Sequence, residues 1–490
     1  MTDLYYASAQ SLAQKLARGE ITSERLVNAF LDRIDQRNPD INAVIALNAD
    51  ALTRARELDA ARARGEIAGP LHGLPMTLKD VWEVVGMATT AGAVELKEHQ
   101  ATRNADVAQR LLDAGAVILG KTNVPIYASD IQTYNDIFGI TRNPRDLERT
   151  SGGSSGGAAA AVTAGFTPVE VGSDVGGSIR IPCHYNGIFG HKPTRDIVSL
   201  RGHIPGASGN ESQADLVEAG PIARTASDLA FILKVIAGPR TIEAGYWQLK
   251  LPEPQQTTLR EYRIGTWFSD PHCPVDDSVL DCYEAFCKNL EPHGIQIREA
   301  KHPLLSLERI LPVYFNLLGA ILSVSLTTQQ RYEILWLDRL ISLAKPFLAL
   351  SHSIEQYTHG TNEPYYDYYV HHEQREKMRI EMMSLFEEID ILLTPITPTT
   401  AIHHDHSMPV SRRRITVNGE PRPYTDQFCW IALATLLGLP STSVPIGLDK
   451  DGMPVNIQVI GAPGTDLTNI HFAQLLEDAG LAGFQRPKNY

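Results

Sequence analysis

Residues 150–157 read Thr150-Ser151-Gly152-Gly153-Ser154-Ser155-Gly156-Gly157. They lead into Ala158-Ala159-Ala160-Ala161-Val162 and, further on, Gly172-Ser173-Asp174-Val175-Gly176-Gly177-Ser178-Ile179-Arg180-Ile181-Pro182. By composition alone a Gly/Ser run is a flexible linker. Three features argue otherwise. The first run feeds a strong helix former, so its amides face a helix N-terminus where negative charge is favoured. A second glycine-flanked serine, Ser178, follows Ser154 after 24 residues, across one expected helix and one expected strand. Gly176-Gly177 also frees the backbone to aim N–H groups at a ligand. Two serines beside open amides suggest a nucleophile and an oxyanion hole.

Around this segment the chain alternates helical and strand patterns, which argues for an α/β sheet. Residues 8–66 read as helices, with Leu26, Val27, Phe30, Leu31 and Ile34 at helical spacing and Ser23 as N-cap. Short apolar runs at 116–120, 168–172, 262–268, 295–299, 391–393 and 443–445 read as strands. Residues 303–390 read as mostly helical, a region suited to forming a pocket. With no fixed-period repeat and no long linker, residues 1–490 are expected to form a single large domain.

Composition narrows the function. Of 490 residues, 43% are hydrophobic and 21% charged, as in ordinary globular proteins. The net charge of −13, without a basic stripe, argues against nucleic-acid binding. Five scattered cysteines without a Cys-x-x-Cys pair argue against a disulfide framework or zinc ribbon and for a reducing cytoplasm. The first residues lack a basic-then-apolar signal pattern. The greasiest run, 310–326, contains Pro312 and Asn316 and reads as a buried helix or pocket wall, with no membrane contact expected.

A nucleophilic serine needs a base. No histidine lies inside the glycine-rich segment, and His184 just beyond it has no evident carboxylate orienter. A phosphate loop is excluded because no Lys-Ser/Thr follows the glycines at the required spacing. Lysine activates a serine when its amine is neutral, and Lys79 follows a Gly-Leu-Pro turn and an apolar triplet that would desolvate it. Taken alone, Lys79 reads more readily as a surface lysine whose stem packs on a sheet than as a base.

The whole pattern resembles the amidase signature family. The likeness runs through Gly73-Leu74-Pro75 to Lys79-Asp80, Gly120-Lys121-Thr122-Asn123, Gly152 to Gly157, Asp174 to Pro182, Leu393-Thr394-Pro395 and Gly438-Leu439-Pro440. It implies a central mixed, twisted β-sheet covered by helices on both faces. It also implies amide hydrolysis through an acyl-serine, with Lys79 as the catalytic lysine, Ser154 as a bridging serine after a cis peptide bond and Ser178 as nucleophile. Backbone amides of Val175, Gly176, Gly177 and Ser178 match the oxyanion hole, with Gly153, Asp174 and Arg180 in support. The resemblance implies no cofactor or metal; the partners are a small amide and water, and a homodimer accords with related enzymes. Ser151, Ser173, Cys183-His184-Tyr185-Asn186 and His191 depart from the usual pattern without touching the three catalytic positions.

Two other functions share this fold: the glutamine-hydrolysing component of a tRNA-dependent amidotransferase, and a catalytically silent binding protein. The former resemblance calls for an acidic glutamine-binding residue where this chain has Phe428. The tyrosines of the Tyr365–Tyr369 stretch stand as either a helix face or a pocket wall, and the leucine-rich 310–370 region leans toward an apolar or aromatic acyl group. Esters are further candidates, because an acyl-serine route does not demand a nitrogen leaving group. His403-His404-Asp405-His406 has metal-ligand residue types, but adjacent histidines converge poorly on one ion.

Overall fold

The computed structural model describes residues 2–204, 211–344, 352–488 and 490. Near the N-terminus, helices Ala9–Arg18, Ser23–Ile41 and Ala51–Ala63 form as expected from their apolar spacing. Two details differ from the sequence expectation. Thr22, not Ser23, caps the second helix, accepting from the Arg25 amide, while the Ser23 hydroxyl donates to the Gly73 carbonyl at 2.8 Å. The 8–66 region also contains a strand, because Asn42 ends the helix in a left-handed conformation (φ 58°) ahead of the β-favouring Val44-Ile45 pair.

That strand, β1 (Val44–Leu47), joins β2 (Pro75–Lys79) and β3 (Val117–Thr122) in a three-stranded sheet ordered β1–β3–β2, with β2 and β3 parallel. The larger sheet contains β4 (Val169–Asp174), β5 (Phe189–Lys192), β6 (Glu218–Ala223), β7 (Arg263–Thr266), β8 (Gln296–Glu299), β9 (Ile391–Thr394), β10 (Ser441–Leu448) and β11 (Pro454–Ile460). Its eight strands run in the order β8–β7–β9–β11–β10–β5–β6–β4. Only β7 with β8 and β7 with β9 are parallel, so the sheet is mixed. Helices cover both faces, with Ala226–Ile236 and Asp466–Asp478 packed together in one layer and Gly156–Thr163 and Arg180–Asn186 in the other. Buried apolar side chains form one large cluster reaching from Ala9 to Tyr490.

The 303–390 region folds as Leu307–Leu322, Thr328–Ala344, His352–Thr361 and Tyr365–Glu388, with residues 345–351 lying outside the described residues. No helix among the described residues is long and apolar enough to cross a membrane.

The Gly/Ser run is not a linker. Residues 150–157 are all buried, and the helix Gly156–Thr163 begins where the alanines predict. A Cβ on Gly157 would stand 2.4 Å from the Asn123 amide nitrogen, so glycine here serves close packing of one backbone on another.

The two sheets meet along β4, where the fully buried Glu170 ties them together. Its carboxylate accepts from the hydroxyls of Thr77 on β2 and Thr122 on β3, each at 2.6 Å. Burial pushes Glu170 up to about 7 against the pull of both hydroxyls. Glu170→Ala should therefore destabilise the fold by about 1–3 kcal/mol for each hydroxyl left unpaired. Glu170→Gln, which keeps an acceptor, should lose clearly less, as read from urea midpoints at unchanged slope.

Candidate active site

β2 ends at Lys79 and β4 ends at Asp174, and the glycine-rich turns close over these two strand ends. The Lys79 side chain is fully buried. Its Nζ lies 2.8 Å from Ser154 Oγ, 3.0 Å from Ser173 Oγ and 3.5 Å from the Ser173 carbonyl oxygen. Burial pulls its pKa from 10.5 to about 7, although the carboxylates of Asp174 and Glu170 oppose the shift. An amine poised there exchanges protons near neutrality.

Ser154 follows a cis peptide bond from Gly153, the geometry that the resemblance implied. Ser178 lines the same cavity as Ser154 and Ser173, and its carbonyl accepts from the Ser155 amide at 3.2 Å. From three separate segments of chain, Lys79 thus contacts Ser154, and Ser154 and Ser178 line one cavity.

The loop carrying Ser178 is held from beneath. Asp174 accepts from the amides of Gly177 and Ile179, both at 3.0 Å, and from the Arg180 guanidinium at 2.8 and 3.0 Å. Burial works against the charge on Asp174, but Arg180 outweighs it and keeps the carboxyl below its ordinary range. Arg180 also reaches the Ile431 carbonyl, Gln458 and Thr435, so the loop is pinned to β11 and to the helix Ala432–Leu436. Gly177 adopts φ 85°, which favours glycine and turns the chain toward the cavity. One expectation is modified here. The Gly177 amide is committed to Asp174, which leaves the amides of Val175, Gly176 and Ser178 as the oxyanion candidates.

The cavity has a volume of about 410 Å³ and mostly apolar walls. Val175, Leu200, Ile204, Val217, Ile321, Leu322 and Val324 contribute to it, so the greasy 310–326 run supplies one side. Within the tyrosine stretch, Tyr365 and Tyr366 are 79% and 74% exposed, whereas Tyr368 alone lines the cavity. Its hydroxyl donates to Asp215 at 2.8 Å, and Arg375 donates to the same carboxylate at 2.7 Å. The Asp215 charge is thereby already matched. Phe428 packs on the loop that carries Ser178: a Cβ at Gly176 would lie 2.8 Å from its ring.

Two further residues of the site carry little signal in the sequence: Ser173 is only a departure from the family pattern, and His203 lies beyond the glycine-rich segment. His203 Nε2 lies 2.9 Å from Ser173 Oγ, which also contacts Lys79. The sequence-adjacent His184 is instead buried between the Thr399 carbonyl and the Asn456 amide, with burial drawing its pKa down to about 4. Near His404 and His406, no group of three His, Cys, Asp or Glu side chains among the described residues is arranged to hold a metal ion.

Comparisons with known proteins bear on family and fold. Residues 25–468 match the family model described as Amidase. A glutamyl-tRNA(Gln) amidotransferase subunit from Acidothermus cellulolyticus is 35% identical, covering 94% of this chain and 92% of that protein. A solved chain from a vestigial complex, linked to the evolutionary origins of an s-triazine catabolic enzyme, superposes with TM-score 0.80 at 27% identity, covering 98% of this chain and all of that one. A bacterial aryl acylamidase of the amidase signature enzymes superposes with TM-score 0.77 at 25% identity over 96% of each chain. A family model matching residues 25–468, with a fold shared along nearly the whole length, leads to one classification: the chain belongs to the amidase family.

Proposed function

We propose that this protein hydrolyses the C–N bond of a carboxylic amide with an apolar or aromatic acyl group, through an acyl-Ser178 intermediate. The observation that carries this reading is the 2.8 Å contact between a fully buried Lys79 amine and Ser154 Oγ. Neutral Lys79 takes the Ser154 proton while Ser154 takes that of Ser178, whose Oγ attacks the carbonyl carbon. The amides of Val175, Gly176 and Ser178 receive the developing oxyanion, each worth about 2.7–4 kcal/mol in comparable sites. The protons return through Ser154 to the leaving nitrogen, and water then releases the acid by the reverse route.

The apolar cavity and the matched Asp215 charge support a neutral substrate, since an ionised group would enter without a counter-charge. A second reading, glutamine hydrolysis within an amidotransferase, is favoured by the name of the 35%-identical relative and opposed by Phe428 beside the nucleophile loop. We read the chain as one working domain, in keeping with the buried cluster that spans it. The five cysteines, all thiols, suit a reducing cytoplasm.

Ser178→Ala should abolish hydrolysis across a panel of aryl, aliphatic and fatty amides, and should remove the fluorophosphonate adduct seen by mass spectrometry on the parent protein. Ammonia release from glutamine exceeding turnover of every apolar amide would instead favour the amidotransferase reading. Because the base must be neutral, kcat/KM should rise with pH through about 7, the value to which burial brings Lys79.

Removing Lys79 should move stability and activity in opposite directions. Lysine in the unfolded chain holds its proton up to about 10.5, so between that pH and 7 unfolding takes up a proton and the buried amine weakens the fold. Lys79→Met should therefore be inactive yet melt higher than the parent at pH 7. The gain should shrink as the pH approaches the unfolded value.

A further inference from the structure

Ser173 Oγ stands between two nitrogens, 3.0 Å from Lys79 Nζ and 2.9 Å from His203 Nε2. The bookkeeping of protons makes this position decisive. A neutral amine has two N–H donors and one lone pair, and a hydroxyl has one proton to give. If His203 donated to Ser173, the Ser173 proton would turn to Lys79 and occupy the lone pair needed by Ser154. If His203 accepts instead, Ser173 gives its proton to the imidazole and takes an N–H from Lys79. The Ser173 carbonyl oxygen, at 3.5 Å, can only accept, and it faces the second N–H. The lone pair is then left to Ser154.

We propose that His203 is a positioning residue whose Nε2 accepts the Ser173 proton and thereby holds the Lys79 lone pair on Ser154. This rests on the hydrolase reading above. The imidazole is held firmly enough for the task. Its ring lies 4.7 Å from the Trp82 ring, and the neighbouring Ile204 amide donates to the Val81 carbonyl at 2.7 Å. His203 is thus anchored to the chain that leaves β2 immediately after Lys79. Burial, reinforced by the Lys79 charge, lowers the imidazole to about 3, so an acceptor nitrogen is present throughout the neutral range. The other charged groups around the relay are Glu170 and Asp174 on β4, which act on Lys79, and the Asp80–Lys121 pair, whose lysine donates to the Trp82 carbonyl.

The test uses the full-length protein and the rate at which a fluorophosphonate probe modifies Ser178, followed by mass spectrometry across the pH range spanning the Lys79 midpoint. His203→Phe keeps a ring for Trp82 but offers no acceptor; His203→Leu serves if the ring swap disturbs folding, judged by melting temperature. Without an acceptor, Ser173 donates to Lys79. The plateau rate should fall about tenfold, the effect of one misdirected hydrogen bond. The acid limb should move to lower pH, because that donation favours the neutral amine. His203→Gln, with an amide oxygen as acceptor, should restore most of the rate, and His203→Phe should add nothing in a Ser173→Ala background.

An unchanged profile for His203→Phe would overturn the proposal. So would a midpoint that climbs toward the ordinary lysine range, the sign of mere loosening and water entry, or equal losses for the Phe and Gln variants. Failure of the parent protein to label at Ser178 would instead strike the hydrolase reading itself.

Discussion

The site depends on one constraint: an amine kept out of water. An exposed lysine holds its proton at neutral pH and can only donate; Lys79, with no exposed side-chain surface, is brought to the edge of neutrality by burial alone. The surrounding protein must resist the natural remedy, which is to pair the amine with a carboxylate. Glu170 and Asp174 are both near enough to pull the pKa upward, yet each is spent elsewhere. Glu170 is engaged by two threonine hydroxyls, and Asp174 by the Arg180 guanidinium and the backbone amides of Gly177, Ile179 and Arg180. What touches Lys79 directly is two hydroxyls and a carbonyl oxygen, which can exchange or accept a proton without fixing a charge.

The same two carboxylates also hold the fold in place around the amine. Glu170 joins the three-stranded sheet to the edge of the larger one, fixing β2 and so the base of the Lys79 side chain. Asp174, four residues along β4, orders the loop that presents Ser178. A single strand therefore sets the relative position of Lys79 and Ser178. The buried Asp174–Arg180 pair is tolerated because Arg180 also finds acceptors on Ile431, Gln458 and Thr435, leaving little of its charge unmatched.

Much of this was legible in the chain itself. Glycine pairs before an alanine-rich helix, the 24-residue interval between the two serines, and a lysine after an apolar triplet are local signals, and each element formed where its pattern lay. The misses share a physical origin. β1 is four residues long and gains its stability from pairing with β3, a contact more than 70 residues away that no window around Val44 records. His203 carries no local mark of function, because its meaning comes from Ser173 and Trp82 across the fold. Tyr368 differs from Tyr365 and Tyr366 only by the face of the helix it occupies, and that face is set by Asp215 and Arg375. The Gly177 amide, assigned to the oxyanion hole by its position in the motif, is claimed by a carboxylate three residues earlier.

The balance between the two readings of the substrate follows from the same electrostatics. Glutamine carries a charged amine and a charged carboxylate, and each needs a partner once it leaves water. Among the described residues the cavity offers one carboxylate, Asp215, whose oxygens are already taken by Arg375 and Tyr368; its other walls are mostly apolar, with uncharged polar groups from serines, tyrosines and His203. Freeing Asp215 for a substrate ammonium would leave the Arg375 guanidinium, whose side chain is 1% exposed, with Glu376 at 3.6 Å as its remaining carboxylate, a weakening of buried pairing that opposes such a substrate. A neutral acyl chain meets no such penalty and gains about 25 cal/mol for each Å² of apolar surface it buries. Likeness to an amidotransferase component speaks for the glutamine reading, whereas the charge balance of the cavity speaks for a neutral acyl group, and the proposed function rests on the second.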